Sequence, residues 1–126
     1  MLADARVEAT VPTADLERSR EFYEGVLGLR PAGEDLPGPT VLFECGGDTR
    51  LLVYERPPTG STPAHTLAHF VVDDVPAAVA ELRSRGVRFE EYDFPELKTI
   101  DGVATIGDLQ TAWFKDPDDN IIAVHN

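Results

Sequence analysis

Cysteine is almost missing from this chain: Cys45 stands alone among 126 residues. One thiol cannot form an internal disulfide, so the fold must hold by packing. Long hydrophobic runs are missing too, and nothing in the sequence approaches the roughly 18 apolar residues of a membrane span. Basic residues are scarce, 11 against 23 acidic ones, which leaves a formal net charge of −12. Nucleic acid is thereby excluded as a partner, because phosphate backbones are bound through Lys and Arg that displace counterions. The excess favours cationic ligands, or it serves solubility alone. The segment Met1 to Arg6 lacks the basic start and apolar stretch of a secretory signal, so cytoplasmic residence is expected.

A hydrophobic share of 42% with ordinary Gly and Pro contents fits a globular domain. At this length one domain is expected, burying about 68% of its unfolded surface. The turn formers from Arg56 to Pro63 cannot sustain a ladder and divide the chain into module one (about 5–56), a linker (57–64) and module two (about 65–126).

Both modules open alike. Arg6 to Pro12 and Thr66 to Val72 read as strands, and Asp15 and Asp74 follow as helix caps. Leu16, Phe22, Tyr23, Val26 and Leu27 give the first helix its apolar face, and Val75, Ala78, Val79 and Leu82 the second. Gly28 and Gly86 end the helices, each in the place of a left-handed terminator. Three strands then follow in each module: Leu29 to Gly33, Thr40 to Glu44 and Arg50 to Glu55, and Val87 to Tyr92, Gln110 to Lys115 and Asn120 to His125. The two caps lie 59 residues apart and the two glycines 58, the mark of a duplicated βαβββ unit. One asymmetry stands out: Phe94 to Asp108 is too long for a hairpin turn and reads as a binding loop or lid, flanked by Tyr92 and Phe94.

Asp15-Leu16-Glu17-Arg18-Ser19 with Phe22-Tyr23 and Leu27-Gly28-Leu29, then Phe70 to Val75, Arg85-Gly86-Val87 and Phe114-Lys115-Asp116-Pro117-Asp118, resemble the vicinal oxygen chelate superfamily. This is the group of glyoxalases, bleomycin-resistance proteins and extradiol dioxygenases. The resemblance implies an α+β fold in which two tandem βαβββ modules form an open, cupped sheet around a cavity, helices outside, commonly as a homodimer. It also implies four metal-ligand positions on the first and last strands of the modules, which fall here on Glu8, Val53, Leu67 and Ala123. Three of these side chains carry no donor atom, and a catalytic metal needs about three protein ligands. No metal and no cofactor are therefore expected.

Strand alternation divides the remaining side chains between a core set and a cavity set. Val7, Ala9, Val11, Leu52, Tyr54, Ala68, Phe70, Val72, Ile122 and Val124 are expected under the helices. Glu8, Thr10, Leu51, Val53, Glu55, Leu67, His69, Ile121, Ala123 and His125 are expected to face the cavity. Glu55, His69 and His125 sit one pleat beyond the implied ligand positions and read either as a shifted metal site or as polar residues at the cavity mouth. Glu8 reads as a general base, as an anchor for a basic ligand, or as the partner of a nearby Arg. Trp113 and Phe43, matched across the duplication, read as cavity walls that stack on a planar ligand, or as core. Cys45 has no nearby basic residue to activate it, His65 reads as surface, and Asp116 to Asp119 as a solvated turn. The function these residues favour is metal-independent sequestration of a small organic molecule, cationic or planar aromatic, of the antibiotic-binding type. The alternative is a divergent lyase, isomerase or dioxygenase using the shifted site or Glu8.

Overall fold

Alternating segments become strands and capped segments become helices in the computed structural model, which describes residues 1–33, 36–58 and 64–126. Most of the expected linker, residues 59–63, lies outside the described residues. The chain divides into two units, Met1–Gly60 and Ser61–Asn126.

In the first unit β1 (Ala9–Thr13) leads into α1 (Leu16–Arg20), followed by β2 (Arg30–Pro31), β3 (Thr40–Glu44) and β4 (Arg50–Glu55). The sheet order is β1-β4-β3-β2, with β1 and β4 parallel and the other neighbours antiparallel. The last strand thus returns beside the first, as a βαβββ unit requires. Asp15 caps α1 by accepting from the Arg18 amide at 3.1 Å. The expected regular helix up to Gly28 does not continue past Arg20; Glu21–Val26 is wound as a wider π-helix. The Leu27 amide accordingly reaches the Phe22 carbonyl at 2.9 Å. Gly25, the weakest helix former of the segment, lies inside that turn. The turn sets Tyr23, fully buried, 6.1 Å from the ring of Phe43.

In the second unit β5 (Thr66–Val71) leads into α2 (Val75–Ser84), then β6 (Asp93–Phe94), β7 (Leu97–Ile100), β8 (Val103–Ile106), β9 (Leu109–Lys115) and β10 (Ile121–His125). The order is β5-β10-β9-β8-β7-β6, again with first and last strands parallel. Asp74 caps α2 through the Ala77 amide at 3.0 Å, with Pro76 in the first turn. Gly28 and Gly86 both take the left-handed conformation (φ 76° and 92°) that ends a helix without a Cβ penalty.

The structure corrects the asymmetric segment. Val87 to Tyr92 forms no strand beyond an isolated bridge between Phe89 and Phe114, and the expected loop from Phe94 to Asp108 is β-structure. The cause is turn chemistry: Asp101 and Gly102 both have positive φ (52° and 81°), the requirement of a tight hairpin between β7 and β8.

It also corrects the face assignment in the first unit. Ala9 pairs with Leu51 and Val11 with Val53, so Leu51 and Val53 share the face of Ala9 and Val11. That face packs under the helix, with Val53 fully buried. Leu52 and Tyr54, expected as core, lie on the other side. Val7, also expected as core, precedes the strand and is 88% exposed. In the second unit Ala68, Phe70, Ile122 and Val124 share the α2 face with Ala112 and Phe114, as the alternation indicates. Among the described residues no helix is long and apolar enough to cross a membrane.

Candidate functional site

The face of the second sheet turned away from α2 gathers most of the site residues read from the second module. Ala123 on β10 lies between His69 on β5 and Trp113 on β9, its partners in the two ladders, and Leu67 is one pleat along from His69. His125, the next residue on that face, brings its ring to 4.4 Å from that of His69, edge to face. Its Nδ1 lies 2.7 Å from the Asn126 carbonyl. A carbonyl only accepts, so Nδ1 carries the proton and Nε2 remains an acceptor.

Aromatic side chains extend the strip beyond Trp113. Tyr92 meets the indole edge-on at 5.4 Å, and Phe94, 59% exposed, stacks on Tyr92 at 6.0 Å. Burial raises the Tyr92 phenol above its ordinary pKa, the Glu90 carboxylate adds to the rise and Lys115 opposes it. The phenol is a neutral donor at physiological pH. Ala123, with its single methyl, leaves room between the Trp113 and His69 rings. The result is a flat, mixed aromatic and imidazole surface, chemically suited to a planar ligand with polar edges.

The first unit contributes less. Thr10 lies on the face of its sheet turned away from α1, beside Leu52. Glu8 accepts from Arg50 Nε at 2.9 Å and lies 3.6 Å from Arg6, so its carboxylate is engaged by arginine. Of its three readings the geometry favours the arginine partner. Val53, Phe43 and Glu55 are corrections. Val53 and Phe43 are fully buried on the helix side. Glu55 accepts from the Leu16 amide at 2.9 Å at the start of α1, where a carboxylate complements the helix terminus. Glu55 thus serves the first unit's helix, and among the described residues no group of three or more His, Cys, Asp or Glu could hold a metal.

One residue of register explains the errors. Cys45 to Thr49 and Asp116 to Asn120 are turns of equal length, so β3 and β4 match β9 and β10 at an offset of 71 residues. Ala123 then corresponds to Leu52, and Phe43 to Phe114, not to Trp113. The equal turn lengths were the signal. With Leu52 in place of Val53, the implied metal positions are Glu8, Leu52, Leu67 and Ala123. Three still lack donor atoms, so these residues do not fit a catalytic metal.

Asp116 is a further correction. It is buried, accepts from the Asp118 and Asn120 amides at 2.9 Å each, and also from Asn120 Nδ2 at 2.9 Å. It is a structural clamp, not a solvated turn residue. Burial pushes the Cys45 thiol up, away from nucleophilic use, and His65 is exposed.

Residues 6–124 match the family model of the Glyoxalase/Bleomycin resistance protein/Dioxygenase superfamily, and the chain belongs to that family. Among solved structures it resembles TnmS3, an antibiotic binding protein from Streptomyces sp. CB03234, at 27% identity (98% of this chain, 97% of that one, TM-score 0.68). It is as similar to a glyoxalase/bleomycin resistance protein from the same organism, at 27% identity (93% and 96%, TM-score 0.63). Lactoylglutathione lyase from Agrobacterium tumefaciens lies equally near, at 26% identity (97% and 92%, TM-score 0.63). No curated protein sequence matches the chain. A binding protein and a lyase at the same distance mean that likeness cannot choose between them, and the choice falls to the site.

Proposed function

We propose that this protein binds and sequesters a planar aromatic small molecule of antibiotic type, without metal and without turnover. The observation that carries this is the replacement of donors by Leu52, Leu67 and Ala123 beside a strip of Trp113, Tyr92 and His69. The substitutions remove the Lewis acid on which the family's metal enzymes depend, and they turn its surroundings into an apolar stacking surface. The likeness to an antibiotic binding protein supports the same conclusion. The net charge of −12 steers a cationic ligand toward the molecule, while specificity comes from the stacking strip and the His125 acceptor. The chain works as one domain over 1–126, as a cytoplasmic homodimer.

The test is a titration with a planar cationic antibiotic such as an anthracycline, following Trp113, the only tryptophan. Saturable quenching is expected, unchanged by EDTA, with all ligand recovered intact by chromatography. Consumption of the ligand, or binding that needs an added divalent ion, would replace the binding protein with an enzyme. Native mass spectrometry reads the dimer in the same samples.

A further inference from the structure

A groove of about 540 Å³ opens on the other side of the second sheet, between α2 and the β7–β8 hairpin. Val79 and Ala80 line it from the helix, Ile100 and Val103 from the hairpin. Ile100 is 72% exposed there, an isoleucine in a sheet with nothing of this unit over it. The groove also holds two of the chain's 11 basic residues, Arg83 and Lys98.

Two independent features mark it as built. Its sheet-side wall is the β7–β8 hairpin, part of the segment that breaks the duplication and has no counterpart in the first unit. Its arginine, moreover, is positioned. The Arg83 guanidinium sits over the Phe89 ring at 5.7 Å. A Cβ on Gly102 would lie 3.0 Å from both Arg83 Nη2 and Phe89 Cβ, so only glycine lets the arginine lie where it does. The carboxylate nearest the guanidinium is Glu91, at 3.9 Å, and Glu91 is itself held by the Thr99 hydroxyl at 2.6 Å. Lys98 likewise meets Asp93 only at 3.9 Å. Both contacts are long enough for an incoming carboxylate to displace.

We propose that this groove binds a medium-chain organic carboxylate, a fatty-acid anion. The acyl chain lies along Val79, Ala80, Ile100 and Val103, and the carboxylate meets Arg83, assisted by Lys98. The helical wall from Pro76 to Arg83 is seven residues long, roughly 10 Å, which suits a chain of medium length. Of the lining acids only Asp101 opposes the two cations, and acids further off are screened beyond about 8 Å at physiological salt.

The test is an amide NMR titration of the full chain with sodium decanoate, with decan-1-ol and decyltrimethylammonium as controls. Saturable shifts are expected at Ala80, Arg83, Ile100 and Val103, with decanol weaker and the cation inactive. Arg83→Gln should weaken decanoate by about tenfold, the loss of one charge-assisted pair. Thr105→Phe, which fills the groove from the sheet while leaving Arg83 intact, should abolish binding. Equal binding of decanol, an unaffected R83Q, or shifts centred on Trp113 instead would overturn the proposal. Anthracycline quenching of Trp113 reads the other face, so the two sites fail or succeed separately.

Discussion

The two units share one plan, a strand, a capped helix and a sheet whose last strand returns beside the first, yet they use it differently. In the first, the sheet face turned away from the helix is closed to chemistry by an ion pair, Glu8 with Arg50 at 2.9 Å. In the second, the corresponding face carries Trp113, Tyr92, His69 and His125, and the helix face gains a groove from the inserted hairpin. Duplication provides two equal scaffolds, but function follows the side chains that each face presents. The second unit is where ligand chemistry concentrates.

The comparison breaks first at the core. Phe43 and Phe114 are structural counterparts, both buried under their helices. Replacing either with alanine should cost about 3–5 kcal/mol in urea unfolding. If one is silent, the offset of 71 residues is wrong. The turns differ more. Asp116→Ala strips three buried donors of their acceptor and should cost about 3 kcal/mol. Thr49→Ala, in the matching turn of the first unit, loses one exposed hydrogen bond to the Gly46 carbonyl and should cost less than about 1 kcal/mol.

Gly102→Ala probes the inserted hairpin. The new methyl meets Arg83 and Phe89 at a positive φ, so about 1–3 kcal/mol should be lost, together with decanoate binding. The smallest effect is at Tyr92. Its folded pKa is raised, so the folded state keeps a proton that the unfolded chain releases near pH 10. Stability from this group is complete below that pH and declines as pH rises through the folded pKa. Tyr92→Phe should flatten that part of the alkaline unfolding curve.

Caps, terminators and most strands were legible because each depends on local chemistry: Asp15 and Asp74 cap, Gly28 and Gly86 terminate, and Thr40–Glu44 and Arg50–Glu55 alternate. The π-wound turn after Arg20 was not legible, since a helical apolar pattern does not distinguish i−4 from i−5 bonding over one turn. The faces of β4 were misread because period two makes a slip of one residue invert every side chain, which moved Val53 and Glu55 to the wrong side. The strip of Trp113, His69, His125 and Ala123 was assembled correctly in outline from alternation. Its contact with Tyr92 was not, because the segment before β6 returns to Trp113 only through the tertiary fold.

The central claim is that the second sheet's face turned away from α2 binds a planar ligand without metal. Amide chemical-shift mapping of the anthracycline complex in EDTA tests it most directly. The account predicts saturable shifts confined to Tyr92, Trp113, Ala123, His69 and His125. Shifts centred on Glu8 and Arg50, or none until a divalent ion is added, would contradict it.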